Sequence, residues 1–521
     1  MGAMIGNNLA EAYVKKVRSR PFAAFSAESG RPSLSRIKTL AGAIVIAKQL
    51  RETWADQQRV AILLPATTVG GLANLAGVLA GKTLVNLNFT AGPRAVASAI
   101  EQCGCDRILT ARAFTKRMDV DLPEGLEMVY LEDLMQGVTA WGRAVAWIQA
   151  LVQPVRSLQR SCGAKRIAGP EDVATIIFSS GSEDVPKGVM LTHHNLWSNL
   201  RDSAEFLHLT GEEYILGSLP LFHSFGTLLF WIAALEGPRI FWLSNPLDAT
   251  ALGKAVADHK LTVLVTTPTF LQLYIRRCTK EQFASLRLVV TGAEQLPDRI
   301  AESFEARFGK PALQGYGTTE CSPVVSVNHP DKNKRGSVGH PIPEVEIRIE
   351  DPETHEELAR GKEGMVLVKG PNIMKGYLGR EDMTRKALRD GWYITGDIGY
   401  LDEDGYLFIT GRLSRFSKIG GEMVPHVVVE DALHEILEAE ERLVAVTAVP
   451  DAKKGEKLVV LHRLDADRIP SLVSSLSSRG FPNLFIPRPE CFVKVDDLPL
   501  LGSGKLDLKQ VQQLAAEAFP A

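Results

Sequence analysis

Four short stretches of this chain carry residue types suited to handling phosphate and a carboxylate. The first is Ile176-Ile177-Phe178 running into Ser179-Ser180-Gly181-Ser182-Glu183-Asp184-Val185-Pro186-Lys187-Gly188. Three apolar, β-prone residues read as a buried strand, and the hydroxyls, glycines and proline after them read as an exposed loop. Such a loop can turn backbone N–H groups and hydroxyls toward an anion, with Lys187 adding positive charge. It lacks the Gly-Lys-[Ser/Thr] ending of a Walker A loop, and a Ser/Gly-rich segment alone is more often only a turn. The second stretch is Gly315-Tyr316-Gly317-Thr318-Thr319-Glu320, after an expected strand at Ala312-Leu313-Gln314. Glycine lets backbone approach a ligand, Tyr316 offers a ring face to a base, Thr319 a hydroxyl to a phosphate, and Glu320 a hard oxygen for Mg²⁺. In the third, Thr395-Gly396-Asp397 places a carboxylate suited to a diol such as a ribose, and Gly411-Arg412 adds a donor for the same sugar. The fourth, Leu500-Leu501-Gly502-Ser503-Gly504-Lys505, sets one lysine on a glycine-flanked loop. Each stretch taken singly has a structural explanation as a turn, a capped strand or a solvated lysine.

The elements that must position these residues alternate. Val60–Pro65 and Leu84–Asn88 read as strands around a small-residue helix from Thr67 to Ala80. Strands at Leu261–Thr266 and Leu286–Thr291 and a helix at Asp298–Phe308 resume the rhythm, which argues a largely parallel sheet covered by helices. From about 340 the texture shifts to short strands (Glu346–Glu350, Gly364–Lys369, Gly405–Thr410), a smaller β-rich subdomain within a first domain spanning 1–411. A boundary follows at 412–416. The remainder, 417–521, reads as a compact α+β unit with helices at 425–438 and 468–479 and strands at 443–449 and 457–463.

Composition narrows the class. A chain of 521 residues exceeds one core. Its net charge of −2 supplies no basic field for nucleic acid. Six cysteines without a CxxC pair or metal spacing fit reduced thiols and a cytoplasmic setting. No apolar run reaches membrane-spanning length. One segment, 138–162, places Trp141, Ala144, Val145, Ile148, Leu151, Val152, Val155 and Leu158 at helical spacing, with Arg143, Gln149, Gln153, Arg156 and Arg160 opposite. It reads either as a helix docked on its own domain, kinked at Pro154, or as an amphipathic helix resting on the inner face of a membrane.

Together and in this order the motifs resemble the adenylate-forming (ANL) superfamily of acyl-CoA synthetases, adenylation domains and luciferases, over about residues 10 to 515. Phe178–Glu183, Leu219-Pro220-Leu221-Phe222-His223-Ser224-Phe225-Gly226, Lys369–Met374, Lys418-Ile419-Gly420-Gly421-Glu422-Met423 and Pro499–Lys505 are closest in wording to the acyl-acyl-carrier-protein synthetase half of the bifunctional 2-acylglycerophosphoethanolamine acyltransferase enzymes. The resemblance implies an α/β fold with a large N-terminal domain of mixed sheets and helices, a β-rich subdomain and a small mobile C-terminal domain. It further implies a two-step ligase that uses ATP and Mg²⁺ to activate a fatty acid as acyl-AMP. The acyl group then passes to the phosphopantetheine thiol of holo-acyl carrier protein or, alternatively, to coenzyme A.

Residue by residue, the resemblance assigns the β- and γ-phosphates to Ser179, Ser180, Gly181, Ser182 and Lys187, and the α-phosphate to Thr319. Mg²⁺ goes to Glu320, and the adenine to Tyr316, Gly317 and Thr318 beside Gly292-Ala293-Glu294. Asp397 and Arg412 take the ribose, and Lys505 bridges carboxylate and α-phosphate. His223 would lie by the acyl carboxylate, against the plainer expectation of a core histidine. The C-terminal unit would pivot at Ser414, where the family commonly has Asp or Lys, and present Lys418, Gly420, Gly421 and Glu422 to the thiol. A basic docking face for an acidic carrier is expected from Arg412, Arg415 and Lys418 with Lys453, Lys454 and Lys457. A non-catalytic acyl- or adenylate-binding relative is the reading from another class, and the presence of Glu320, Asp397, Arg412 and Lys505 argues against it.

Overall fold

The computed structural model describes residues 6–116, 122, 125–179, 186–420, 422–437, 439, 442–451, 453–500 and 506–519, without the side chains of Ser414 and Met423. Four sheets organise these residues. A seven-stranded sheet runs Gly376–Tyr377, Lys187–Thr192, Val173–Ser179, Thr83–Asn86, Arg59–Ile62, Arg107–Thr110 and Glu127–Tyr130. Its last five strands are parallel and its first two pairings antiparallel. A nine-stranded sheet has its parallel centre in Leu313–Gly317, Leu288–Thr291, Val263–Thr266, Tyr214–Gly217 and Arg239–Trp242. The central strands are buried on both faces, as β-branched runs covered by helices should be. A β-rich layer of five strands covers Glu346–Arg412, and a fourth sheet, Phe416–Lys494, belongs to the C-terminal α+β unit with its own core around Val429, Leu433, Val460 and Leu476.

The expected strands at Glu346–Glu350 and Gly364–Lys369 and the helix at Asp298–Phe308 form with those limits. Three expectations change. Lys187 and Gly188 are not loop but the start of a return strand, with Ser179 opposite Lys187 in an antiparallel hairpin. The strand expected at Ala312–Gln314 continues through the glycines to Gly317, because Val324–Val327 pairs with it. The segment 138–162 is not one helix: Ala140–Val152 ends at Gln153, and Val155–Ser161 begins after Pro154, whose ring cannot continue the helical hydrogen bonding.

Candidate active site

The chemistry-bearing residues of the large part meet around Tyr316–Glu320. This segment leaves the carboxyl edge of the nine-stranded sheet, where ligands of open α/β sheets bind. Gly317 is required there: a Cβ would stand 2.1 Å from the Pro323 carbonyl oxygen. Immediately after it, Thr319–Cys321 makes one 3-10 turn.

Two neighbouring sheets grip the segment from opposite sides. From the β-rich layer, the Asp397 carboxylate accepts from the Tyr316 hydroxyl through Oδ2 and from Arg412 Nε at 2.7 Å through Oδ1. Asp397 and Arg412 lie directly opposite across adjacent antiparallel strands, so strand register alone holds the charges together. Gly396, at φ 77°, supplies the left-handed turn that aims Asp397. From the seven-stranded sheet, Tyr377 pairs opposite Val189 and donates its hydroxyl to Glu320 Oε1 at 2.8 Å. The Met374 amide donates to the Glu320 carbonyl at 2.8 Å. Burial, and then the charge of Asp397, raises the Tyr316 phenol well above its ordinary range. Burial and Glu320 do the same for Tyr377. Both phenols therefore keep their protons and donate to the two carboxylates.

The other residues of the large part close in on the same place. Lys187, on the stem of the Ser/Gly hairpin, holds its ammonium 5.9 Å from the Tyr377 ring centre. The Ser224 hydroxyl lies 3.4 Å from that of Thr319, at the start of the helix Ser224–Leu235. His223 precedes that helix and is exposed, which overturns the plainer expectation of a core histidine. A Cβ on Gly292 would meet the Phe225 ring at 3.2 Å and the Gly315 carbonyl at 3.5 Å, so Gly292-Ala293-Glu294 borders the same cleft. The Glu294 carboxylate accepts from Thr269 at 2.6 Å. Ser180, Gly181, Ser182, Gly421 and Lys505 lie outside the described residues. The segment bearing Lys505 is flanked by a Leu500–Leu506 bridge, and Leu506 buries among Ala445, Leu461, Leu498 and Val511 of the C-terminal unit.

The cations expected to form a docking face fare differently: Lys453 and Lys454 are exposed, and the others have partners. Arg412 is spent on Asp397, Arg415 is buried in an ion pair with Glu430 at 2.6 Å, and Lys418 pairs with Glu353. Lys457 lies 4.5 Å from the Phe519 ring centre. Tyr377 escaped sequence reading, and Ser224 was named there only within its motif and given no role, because each reaches the site through contacts distant in sequence. The Gly376-Tyr377 dipeptide after Lys375 was the available signal.

The donor set suits a cation carried on a phosphorylated substrate. No group of three His, Cys, Asp or Glu side chains among the described residues could hold a metal unaided. One carboxylate, Glu320, beside hydroxyls is what Mg²⁺ needs when phosphates supply its other ligands.

Residues 36–378 match the AMP-binding enzyme family, two thirds of the chain and nearly all of this cleft. The chain belongs to that family. A long-chain-fatty-acid–CoA ligase of Yersinia pestis is 29% identical over 477 residues, covering 86% of this chain and 84% of that protein. One of Bacillus subtilis (strain 168) is 33% identical over 349 residues, 66% and 61% of the two. Among solved structures, ATP-bound MatB from Rhodopseudomonas palustris has a TM-score of 0.79 at 25% identity, over 98% of this chain and 99% of that one. An o-succinylbenzoate CoA synthetase of Bacillus subtilis holding an acyl-adenylate has a TM-score of 0.81 at 24% identity, over 97% and 98%. The AMP-binding fold thus extends past the matched residues into the C-terminal unit, and ATP and Mg²⁺ are the cofactors such enzymes use.

Proposed function

We propose that this AMP-binding enzyme is an acid–thiol ligase that activates a long-chain fatty acid with ATP and passes the acyl group to coenzyme A. The observation that carries the reading is the double grip on Tyr316–Glu320, with Asp397 on one side and Tyr377 on the other. It brings Asp397, the proposed diol acceptor, to the short segment that carries Glu320, the proposed cation ligand, and the Thr319 hydroxyl. The long-chain-fatty-acid–CoA ligases to which the chain is similar support the substrate class.

Two anions, a carboxylate and a nucleoside triphosphate, must meet, so most of the barrier lies in positioning and charge neutralisation. Asp397 would accept from the ribose hydroxyls while Arg412 and Tyr316 keep it oriented. Thr319 would donate to the α-phosphate, with Ser224 behind it. Ser179, Ser180, Gly181 and Ser182, with Lys187 at the start of the return strand, would take the outer phosphates. Glu320 would hold Mg²⁺, which when bound offsets the charge of the departing pyrophosphate. The carboxylate oxygen attacks the α-phosphorus and pyrophosphate leaves, and Lys505 would meet the charge shared between carboxylate and phosphate. His223 and Phe225 would border the acyl carboxylate.

In the second half-reaction a thiol displaces AMP. The turn Leu413–Arg415, containing Ser414, is the proposed pivot between the parts 1–411 and 417–521. Rotation there would remove Lys505 and bring Lys418, Gly420, Gly421 and Glu422 to the thiol path.

Acyl carrier protein is the second acceptor reading. It is favoured by the wording of Gly420–Met423 and Leu500–Lys505, and weakened by the pairing of Arg412, Arg415 and Lys418. Supplying ATP, palmitate and either thiol separates them: thioester with coenzyme A at the higher rate supports the reading. Thioester on the holo-carrier alone replaces the acceptor, and no ATP consumption with either restores the non-catalytic alternative.

A further inference from the structure

The helix Ala140–Val152 is mounted inside out. It lies against the helix Arg36–Gln49 through its smallest side chains, Ala146 and Ala150, which are fully buried. Arg18 fastens its end, donating to the Ala150 carbonyl at 2.9 Å and the Gln149 carbonyl at 3.3 Å. Lys48 holds the Gln149 side chain at 2.5 Å. The large apolar residues point the other way. Trp141 is 76% exposed, Ile148 55% and Val152 71%, with Trp147 beside them. Phe22, 71% exposed and 6.4 Å from the Trp147 ring, continues the surface onto the neighbouring loop. A surface helix ordinarily buries such residues. A contiguous exposed apolar patch bordered by polar residues marks a contact surface.

Charge chooses the contact. From 134 to 170 the chain carries Arg143, Arg156, Arg160, Lys165 and Arg166 and no acidic residue. From 12 to 27, around the helix Leu9–Ser19 that packs against this one, it carries Lys15, Lys16, Arg18 and Arg20 and again no acid. Of these nine cations Lys15 pairs with Glu11 and Arg166 with Asp172, and the other seven, in a protein of net charge −2, have no acidic residue within their own two stretches. A second copy of the chain would set these cations against one another. A sheet of anionic headgroups over hydrocarbon answers both features, the indoles seating at the interface and the cations among the phosphates.

We infer that Trp141, Trp147, Ile148, Val152 and Phe22 form a docking surface for an anionic lipid bilayer, with Arg143, Arg156 and Arg160 engaging its headgroups. Docking is peripheral: no helix among the described residues is long and apolar enough to cross a membrane. The inference rests on this surface alone and not on the ligase reading.

The test is flotation of the full chain with vesicles of phosphatidylcholine and phosphatidylglycerol in equal parts, or of phosphatidylcholine alone. The parent chain is expected to float with the mixed vesicles, losing binding as salt is raised. Ile148→Glu with Val152→Glu should weaken binding about tenfold or more, since two buried aliphatic side chains are lost to hydrocarbon. Arg156→Gln with Arg160→Gln should weaken binding to the anionic vesicles and flatten the salt dependence. Both variants alter exposed side chains, and unchanged thermal midpoints confirm that they fold. With brominated lipid, quenching of tryptophan emission should be reduced in Trp141→Phe. Equal flotation of parent and variants, equal binding to neutral vesicles, or a concentration-dependent dimer abolished by Ile148→Glu would each overturn the proposal.

Discussion

The large part and the C-terminal unit hold their charged side chains in opposite ways. In the large part, Asp397 is almost wholly buried and receives Tyr316 and Arg412, partners from two different sheets. Those donors are in place before any ligand arrives, so their entropy is spent on folding rather than on binding. At the boundary turn Arg415 is also fixed and buried, against Glu430 of the C-terminal unit, whose carboxylate takes the Val446 amide as well at 2.6 Å. Across the boundary the contact is of another kind. Lys418 and Glu353 form an ion pair with both side chains more than half exposed. Exposed pairs contribute roughly 0–1 kcal/mol. Two fixed charge constellations are thus joined by an exposed ion pair and by a small apolar contact in which Phe416 packs among Met365, Leu367 and Ile398, beside the proposed pivot.

The widest separation between the parts should come from Lys505→Ala. Fatty-acid-dependent ATP–pyrophosphate exchange is expected to fall on the order of 10²–10³, while thioester formation from supplied acyl-AMP is spared. Asp397→Ala, by contrast, should depress both half-reactions, on the order of 10² each, because nucleotide binding serves both. Equal effects of the two substitutions on both steps would erase the distinction.

Stability sharpens it next. Arg415→Ala leaves Glu430 buried without its cation, and calorimetry should show a loss of about 3–5 kcal/mol confined to the C-terminal unit. Acid should weaken both parts. Burial holds His193 of the large part down at about 4, and burial with Arg415 nearby holds His426 of the C-terminal unit at about 3. Unfolded, each binds its proton near the ordinary value of 6.5. Between 6.5 and those lower values the unfolded chain binds more protons, so stability is complete above 6.5 and drains away as pH falls through the window. A thermal midpoint flat from pH 7 to pH 4 would contradict this. The smallest effect belongs to Glu353→Gln, under about 1 kcal/mol in stability and a few-fold change in the ratio of the two half-reactions.

What the sequence disclosed follows the same division between local and distant causes. The helix Asp298–Phe308 was legible because its apolar spacing and the Gly309 stop are local. Glu320, Asp397 and Arg412 could be singled out as candidates because each follows glycine within a short motif. The strands Ala24–Glu28 and Arg31–Ser35 were missed, since Arg31-Pro32-Ser33 does not read as a strand and their pairing with Arg239–Trp242 is remote in sequence. The return strand from Lys187 was mistaken for loop because proline, lysine and glycine signal turns, while its partner across the hairpin decides otherwise. Tyr377 stayed hidden for the same reason: only its pairing opposite Val189 brings it to Glu320. The burial of Arg415 against Glu430 was hidden too, because sequence counts cations but not the carboxylates that fold against them.

The most direct test follows the nucleotide. With ATP, Mg²⁺, palmitate and coenzyme A, the enzyme should convert ATP to AMP and pyrophosphate in step with thioester, and with the thiol withheld it should stop at one equivalent of pyrophosphate and bound acyl-AMP. ADP and phosphate as the products, or ATP left intact with every fatty acid offered, would contradict the convergence of Tyr316–Glu320, Asp397 and the Ser179 hairpin on a single nucleotide.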